Sequence, residues 1–561
     1  MGLLCFRCAP LIVQGPVILL EKSGGVVNLI GDENSIDKDG DNDMGDLTED
    51  STSTRTRRPT DRMCLYIDAE EHELGDLGEP AKYKAALLDP ESDKWLNAMN
   101  VSSCGEGLYS NPGIDYEETF SPADIRAIKI LIAIAAYYDY EIWQMDVKTA
   151  FLNGYLNKEV YMEQPEGFVN PKYPNRVCML KRSIYGLKQA SRQWNKRFDD
   201  EIKKFGFSQD ADEPCVYLKA SGSNVTFLIL YGDDILIMGN SIPMLQDVKS
   251  YPGKCFAIKD LGEAAYIRGI KIYRDRSRWL IGLCQSAYIK KILKRFHMEN
   301  YKRGSIPMQD KLRLSNSQGA STPAELKRMQ NVQYASAMGS IMYVVRCTRP
   351  DVAFAHNITS RFQQNLGDLH WTTVKNILKY LRNTKDMFLV YGGDLKRELR
   401  VSCYTDAGYL TDVDDLKSQT GYVFILNGGV VDWKSVKQSI FATSSTEAEY
   451  IAAFDASKEA VWVRKFISGL GVVPTIEKPI NMYCDNTGAI AIANESGITK
   501  GARHFRAKVH YLREVIEFGD IKLEKVHTDD NLADPFTKAL AFPKHSELTR
   551  NIGMLPASSF M

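Results

Sequence analysis

The sequence predicts a multidomain fold of mixed α+β and α/β character. Its 561 residues suggest roughly three or four domains. Two β-prone apolar runs, Val225 to Leu230 and Ile235 to Met238, flank a tight Gly-containing connection and read as a hairpin. From Leu399 to Val526, short strand-like runs alternate with helical stretches, the pattern of a mixed sheet with helices on it. Between these regions, Tyr334 to Tyr343 and Trp371 to Leu381 read as helices, with Arg349-Pro350-Asp351 as a break.

The hairpin carries Tyr231-Gly232-Asp233-Asp234. Two adjacent carboxylates repel each other, and burial raises their pKa values. A Mg²⁺ ion removes that penalty, because it takes hard oxygen ligands and keeps substrate phosphates in its shell. The hairpin therefore looks like a two-metal phosphoryl-transfer site. Taken alone, it fits a solvated Gly-Asp-Asp turn as readily.

Composition excludes little. An apolar fraction of 44% is enough for sizeable cores, and a net charge of −1 gives no global field toward nucleic acid, so any such groove is local. The eleven cysteines are scattered; Cys5 and Cys8 have no second pair to complete a zinc site. No apolar run approaches the ~20 residues needed to span a bilayer, and the start is a poor signal peptide. These features predict an intracellular chain, cytoplasmic or nuclear and not secreted, with no membrane partner.

Residues 1–79 read as a disordered acidic linker. Within it, Asp37 to Asp43 fails as a calcium loop, since Asn42 stands at the sixth position and Thr48 at the twelfth. A helical pattern then leads to Trp95. Ile125 to Tyr138 has apolar residues at helical spacing (Ile128, Leu131, Ile132, Ala135), and Ile142 to Val147 alternates as a strand bearing Asp146 at its end. Backbone N–H groups follow there, a place for metal and triphosphate. Lys181 to Trp194 is basic with interleaved aromatics; it suits phosphates and bases, or simply a solvated helix face. His356 and His370 read as packing or surface residues.

The last third repeats the carboxylate logic. Leu399 to Thr405 is a strand ending at Asp406, and Ile480 to Cys484 is another ending at Asp485. Asn427-Gly428-Gly429 marks a hairpin, Ser444 to Thr446 offers an N-cap for a long helix to Leu470, and Asp534 follows the strand Ile521 to Val526. Of the two glutamates opening the helix, Glu449 precedes a core-facing run, whereas Glu447 faces elsewhere.

Asp115-Tyr116-Glu117-Glu118-Thr119-Phe120-Ser121-Pro122, Gln144 to Gly154, Tyr185-Gly186-Leu187-Lys188-Gln189-Ala190 and Tyr231-Gly232-Asp233-Asp234 occur in that order. They resemble the reverse transcriptase motifs of copia-type LTR retrotransposon Pol polyproteins, and Asp406, Glu449, Asp485 and Asp534 resemble the carboxylates of the ribonuclease H that follows. The resemblance covers roughly residues 80 to 545. It implies a polymerase palm with incomplete fingers (80–284), a helical thumb and connection (285–395), a ribonuclease H-like mixed-sheet domain (396–545) and a tail (546–561). It implies two Mg²⁺ or Mn²⁺ ions per site, held by Asp146, Asp233 and Asp234 in one and by Asp406, Glu449, Asp485 and Asp534 in the other. Phe151 takes the place of the steric gate against a ribose 2′-hydroxyl. Thr149, Ala150, Gly186, Lys188 and Tyr231 are implied to line the substrate site, Gly269 belongs to a primer-grip-like hairpin, and His527 resembles a product-release histidine. The implied partners are RNA and DNA primer–template, RNA–DNA hybrid and dNTPs, and the implied compartment includes a cytoplasmic virus-like particle.

The sequence departs from the family in three places. Only about eleven residues separate Val101 from Gly113, with no Lys or Arg among them, where the family has a longer, basic fingers segment. Charge on a triphosphate needs such cations, so the polymerase is expected to be impaired. Gly232 stands where the family usually has Val, and Arg268 where it more often has an aliphatic residue. Two other readings follow: a degenerate remnant that at most binds nucleic acid, or an enzyme with ribonuclease H activity only.

Overall fold

The computed structural model describes residues 19–21, 123–164, 171–173, 175–394, 396, 398–495 and 505–559. The expected Trp95 helix, the Asp115 motif and almost all of the expected linker 1–79 lie outside them. Two units are distinguished, 14–97 with 159–180 and the remainder. In the first, Leu19–Glu21 pairs with Arg176–Met179, which pairs with Tyr161–Glu163, all antiparallel.

The second unit begins with helix α1 (Ile125–Tyr138), capped by Asp124, whose carboxylate accepts from Arg126 N–H at 3.0 Å. It ends at Asp139 in the left-handed region. Residues Ala127 to Ala136 are all buried, and each buried Ile or Leu contributes about 1.5–3 kcal/mol. Strand β1 (Glu141–Val147), helix α2 (Ala190–Lys204) and strands β2 (Ser208–Gln209), β3 (Val216–Ser221), β4 (Asn224–Tyr231), β5 (Asp234–Gly239) and β6 (Ile258–Glu263) follow. They form an antiparallel sheet of order β2-β3-β4-β5-β1-β6. Trp194 of α2, expected among aromatics that stack on bases or line a solvated face, is instead 1% exposed in the core under this sheet.

The second sheet crosses the expected segment boundaries. It runs β7 (Tyr266–Ile267), β8 (Ile270–Asp275), β9 (Leu280–Cys284), β10 (Met387–Gly392), β16 (Met554–Pro556). Of the expected tail 546–561, the described residues 546–559 are packed into the fold: helix α10 (Phe542–Asn551) spans the expected 545/546 boundary, and β16 completes a ladder with β10. Pairing satisfies the β16 backbone groups that face β10 and covers the edge of β10. Between β9 and β10 lie helices α3 (Ser286–Arg295), α4 (Tyr334–Cys347), α5 (Ala353–Ser360) and α6 (Asp368–Asn383). His370 is buried, stacked on Phe362 at 4.2 Å and hydrogen-bonded through both ring nitrogens, a packing residue.

The third sheet has order β13-β12-β11-β14-β15, from β11 (Ser402–Gly408), β12 (Gln419–Leu426), β13 (Gly429–Lys437), β14 (Ile480–Cys484) and β15 (Ile521–Lys525). The first three strands pair antiparallel and the last two join in parallel. Asn427 and Gly428, both at positive φ, make the two-residue turn expected there. Helix α7 (Ser445–Leu470) lies on β11 and β12, with α8 (Thr487–Asn494) and α9 (Arg506–Glu517) beside it. One core joins this region to the second sheet and to α1, which contacts β9, β10 and β13. Asp406 does not end its strand, as expected, but sits within it opposite Gly421. Among the described residues, no helix is long and apolar enough to cross a membrane.

Candidate active site

Two carboxylate clusters are assembled. In the first, Tyr231 and Asp234 are the last pair of the β4–β5 ladder, so Gly232 and Asp233 alone make the turn. Gly232 adopts φ +67°, which suits the twist of such a turn and is strained for other residues. Strand β1 flanks β5 and sets Asp146 directly opposite Asp234, on one face of the sheet. The turn is tied down by Val147 N–H donating to Asp233 O at 2.9 Å and by the Trp194 indole N–H donating to Gly232 O at 3.0 Å.

Gln144 donates to Asp234 Oδ1 at 2.9 Å, and the Tyr185 hydroxyl lies 3.4 Å from Asp233 Oδ2. Asp233 Oδ1 is buried without a hydrogen-bond partner. Burial, reinforced by Asp146 and Asp234 against the nearby Arg268, pushes the Asp233 carboxyl up to about 6. Burial also raises Asp146, with Asp234 adding to it, and raises Asp234 against the hydrogen bond from Gln144 and the charge of Arg268. Three half-buried carboxylates with one orphaned oxygen are a hard-oxygen donor set, and they fit a divalent ion such as Mg²⁺ or Mn²⁺.

Thr149 is left-handed at φ 52°, and its hydroxyl donates to Lys148 O at 2.7 Å. Ala150 is buried beside it. The Phe151 ring packs 4.9 Å from that of Tyr185 and so is linked to Asp233. Gly186 (φ 96°) and Gly269 (φ 74°) are exposed turn residues, and Lys188 is exposed. Among the described residues, no hydrogen bond or ion pair joins Lys188 or Gly269 to the three aspartates.

The second cluster lies where β11 and β14 part. Their parallel pairing ends at Tyr404 and Tyr483; Asp406 and Asp485 follow. Glu449 comes from the second turn of α7, and Asp534 from a 3-10 turn, Asp534–Phe536, after β15. Asn531, fully buried, donates to Thr405 O at 2.9 Å and anchors that segment to β11. Ala407 N–H donates to Glu449 Oε1 at 3.1 Å. One carboxylate oxygen each of Glu449 and Asp485 and the Cys484 thiol lie within 4.8 Å of one another.

Burial, with Asp406 and Asp485 adding to it, holds Glu449 well above the usual carboxylate range. Burial raises Asp406 against the Lys538 ammonium and the Thr537 hydroxyl, and with Asp406 it pushes Asp534 up to about 6. Burial also drives the Cys484 thiol upward, and a protonated thiol is a poor ligand. The oxygens alone suit a divalent ion of the Mg²⁺ or Mn²⁺ kind.

Sequence reasoning missed several of these neighbours. Lys538 Nζ lies 2.9 Å from Asp534 Oδ1 and 3.9 Å from Asp406 Oδ2. Its spacing of four from Asp534 was a readable signal. Thr537 donates to Asp406 Oδ2, a long-range contact with no local signature. His527 is exposed, and its Nδ1 accepts from Asp529 N–H at 3.3 Å.

Residues 99–310 match the family described as reverse transcriptase (RNA-dependent DNA polymerase). The chain is 41% identical to the retrovirus-related Pol polyprotein from transposon TNT 1-94 of Nicotiana tabacum, over 80% of this chain and 34% of that protein. It is 32% identical to the corresponding polyprotein from transposon RE2 of Arabidopsis thaliana, over 83% of this chain and 31% of the relative. It therefore spans about a third of the length of these relatives. A transposon Ty5-1 protein of Saccharomyces cerevisiae matches at 31% identity along its whole length, over 56% of this chain. With motifs, geometry and relatives in agreement, the chain belongs to the Pol polyproteins of copia-type retrotransposons.

Proposed function

We propose that the chain is an RNA-directed DNA polymerase joined to a ribonuclease H, with a polymerase site of reduced competence. The observation that carries the reading is the convergence of Asp146, Asp233 and Asp234 around a buried carboxylate oxygen that lacks a partner. These three would hold divalent ions in the palm, and Asp406, Glu449, Asp485 and Asp534 would hold them in the ribonuclease H domain. When bound, such ions polarise the reacting phosphate and make the attacking oxygen a better nucleophile. The chain's own contribution is to fix the carboxylates: Gln144 orients Asp234, the Trp194 indole pins the turn, and Ala407 N–H orients Glu449. In this reading Phe151, whose ring is tilted against that of Tyr185, would exclude a ribose 2′-hydroxyl. The order of the third sheet sets β11 beside β14 and so brings Asp406 and Asp485 to one end of it. Substrates in this reading are RNA and DNA primer–template, dNTPs and RNA–DNA hybrid.

A second reading, ribonuclease H activity alone, is favoured by the lack of basic residues between Val101 and Gly113. Primer extension and hybrid cleavage, assayed separately with Mg²⁺ on the purified chain, decide between them. Weak extension is expected, lowered by about 10²-fold or more in Asp233→Asn with cleavage retained. Cleavage without any extension supports the second reading, and a folded chain lacking both activities overturns both.

A further inference from the structure

Arg268 occupies the first position of the two-residue turn between β7 and β8, at φ 47°, with Gly269 after it. Its carbonyl accepts a hydrogen bond from the Tyr343 hydroxyl of α4, which holds the turn in place. From there the side chain reaches the Gly232–Asp233 tip of the first sheet. Its Nε lies 3.7 Å from Asp234 Oδ2, and its Nη2 donates to Tyr231 O at 3.3 Å. The guanidinium carbon sits 5.2 Å from the Tyr231 ring centroid. A Cβ built at Gly232 would stand 1.9 Å from Arg268 Nη2 and 3.2 Å from Cζ. The guanidinium thus fills the space that any side chain at position 232 would take. Gly232 and Arg268, each in the turn of a different hairpin, thus face each other.

We propose that Arg268 is a built-in counter-cation of the Asp146, Asp233 and Asp234 cluster, competing with divalent metal for it, and that Gly232 is the residue that admits it. The proposal rests on the reading of this cluster as a metal site. A fixed positive charge beside Asp234 repels an incoming divalent ion, and the ion must break the guanidinium contact or share the carboxylate with it. The apparent metal affinity then falls by the fraction of chains in which Arg268 is docked. Removing the side chain, or denying it room, raises that affinity.

The test is calorimetric titration of Mn²⁺ into the full chain, in a Glu449→Gln, Asp485→Asn background that removes ligands of the second cluster. Arg268→Leu is expected to bind Mn²⁺ about tenfold more tightly than its parent. Gly232→Ala is expected to shift affinity in the same direction, because its Cβ displaces the guanidinium, and the double variant to gain little beyond either single one. Melting in EDTA reports any loss of fold, and the two variants alter different turns, so one can stand if the other fails. Unchanged or weaker Mn²⁺ binding in both variants, with binding still abolished by Asp233→Asn, overturns the counter-cation role and leaves the metal site intact. Mn²⁺ binding that Asp233→Asn does not alter overturns the metal-site reading and the proposal with it.

Discussion

Replacing Asp351 by alanine lowers the free energy of unfolding by about 3–5 kcal/mol, the cost of leaving a buried charge without its partner. Arg349 and Asp351 have side chains only 1% and 0% exposed. The guanidinium donates to both carboxylate oxygens, from Nε at 2.9 Å and from Nη2 at 2.6 Å. It also donates to the carbonyl and hydroxyl of Thr384. Tyr380 donates its hydroxyl to Asp351 Oδ2 at 2.6 Å, so α6 is joined to the same centre. His545 of α10 contacts Asp351 O at 3.2 Å, which brings in the helix before β16. Removal of the carboxylate strands the guanidinium and the Tyr380 hydroxyl together. Replacing both partners, as Arg349→Met with Asp351→Leu, should recover most of the loss, because no buried charge remains.

The pH dependence has a definite sign. Burial pushes the Asp351 carboxyl up, but Arg349 and Tyr380 outweigh it and hold the folded value below the usual 3.8. A depressed carboxylate stabilises the fold above its unfolded pKa, and that stability is lost as pH falls through the folded value. The gap in unfolding free energy between parent and Asp351→Ala is therefore full at pH 7 and narrows below about pH 4. Denaturant unfolding at the two pH values measures it; a gap that widens in acid contradicts the assignment.

The legibility of this chain follows the range of its interactions. Asp146, Asp233 and Asp234 were readable because each sits where a local pattern changes: the end of an alternating run, or the Gly-containing turn of a hairpin. The same holds for Asp485 and for the choice of Glu449 over Glu447, which needed only helical phase. Arg349 and Asp351 read merely as a helix break, since nothing nearby in sequence signals the Thr384, Tyr380 and His545 that surround them. Trp194 lies in a basic stretch suited to nucleic acid, yet its indole is spent on Gly232 O, 38 residues away. The α1 pattern showed one apolar face, but its residues Ala127 to Ala136 are buried on every side, with Lys129 Nζ set 3.4 Å from the centroid of the Trp433 ring. That environment is made by β9, β10 and β13, which arrive from three later segments. β16 was unreadable as a strand because three residues carry no periodicity; it exists only through β10.

The contrast between Glu447 and Glu449 tests the second cluster most directly. Both glutamates are nearly buried, at 4% and 6% exposure, and they stand two residues apart on α7. Glu447 accepts from Thr443 N–H at 2.8 Å and from the Thr443 hydroxyl at 2.5 Å, while its own N–H donates to Ser444 Oγ at 3.1 Å. It closes the helix start, and Glu447→Ala should cost about 0.5–2 kcal/mol of stability with cleavage of hybrid retained. Glu449→Gln should lower cleavage by about 10²–10³-fold, because the amide keeps the bond from Ala407 N–H but loses the charge that holds a cation.

Stability moves the other way. Burial first, then Asp406 and Asp485, hold the Glu449 carboxyl far above its ordinary 4.5. A raised carboxylate gives stability that is complete below the unfolded pKa and is lost as pH rises toward the folded one. In EDTA, Glu449→Gln should therefore melt close to the parent at pH 4 and above it at pH 8. Added Mg²⁺ should raise the parent at pH 8 and raise the variant less, because ligand binding stabilises only a chain that can hold the ion. A variant that melts below the parent at pH 8 in EDTA, or that still cleaves hybrid at the parental rate, would remove Glu449 from the cluster and leave the ribonuclease H assignment without its helix-borne carboxylate.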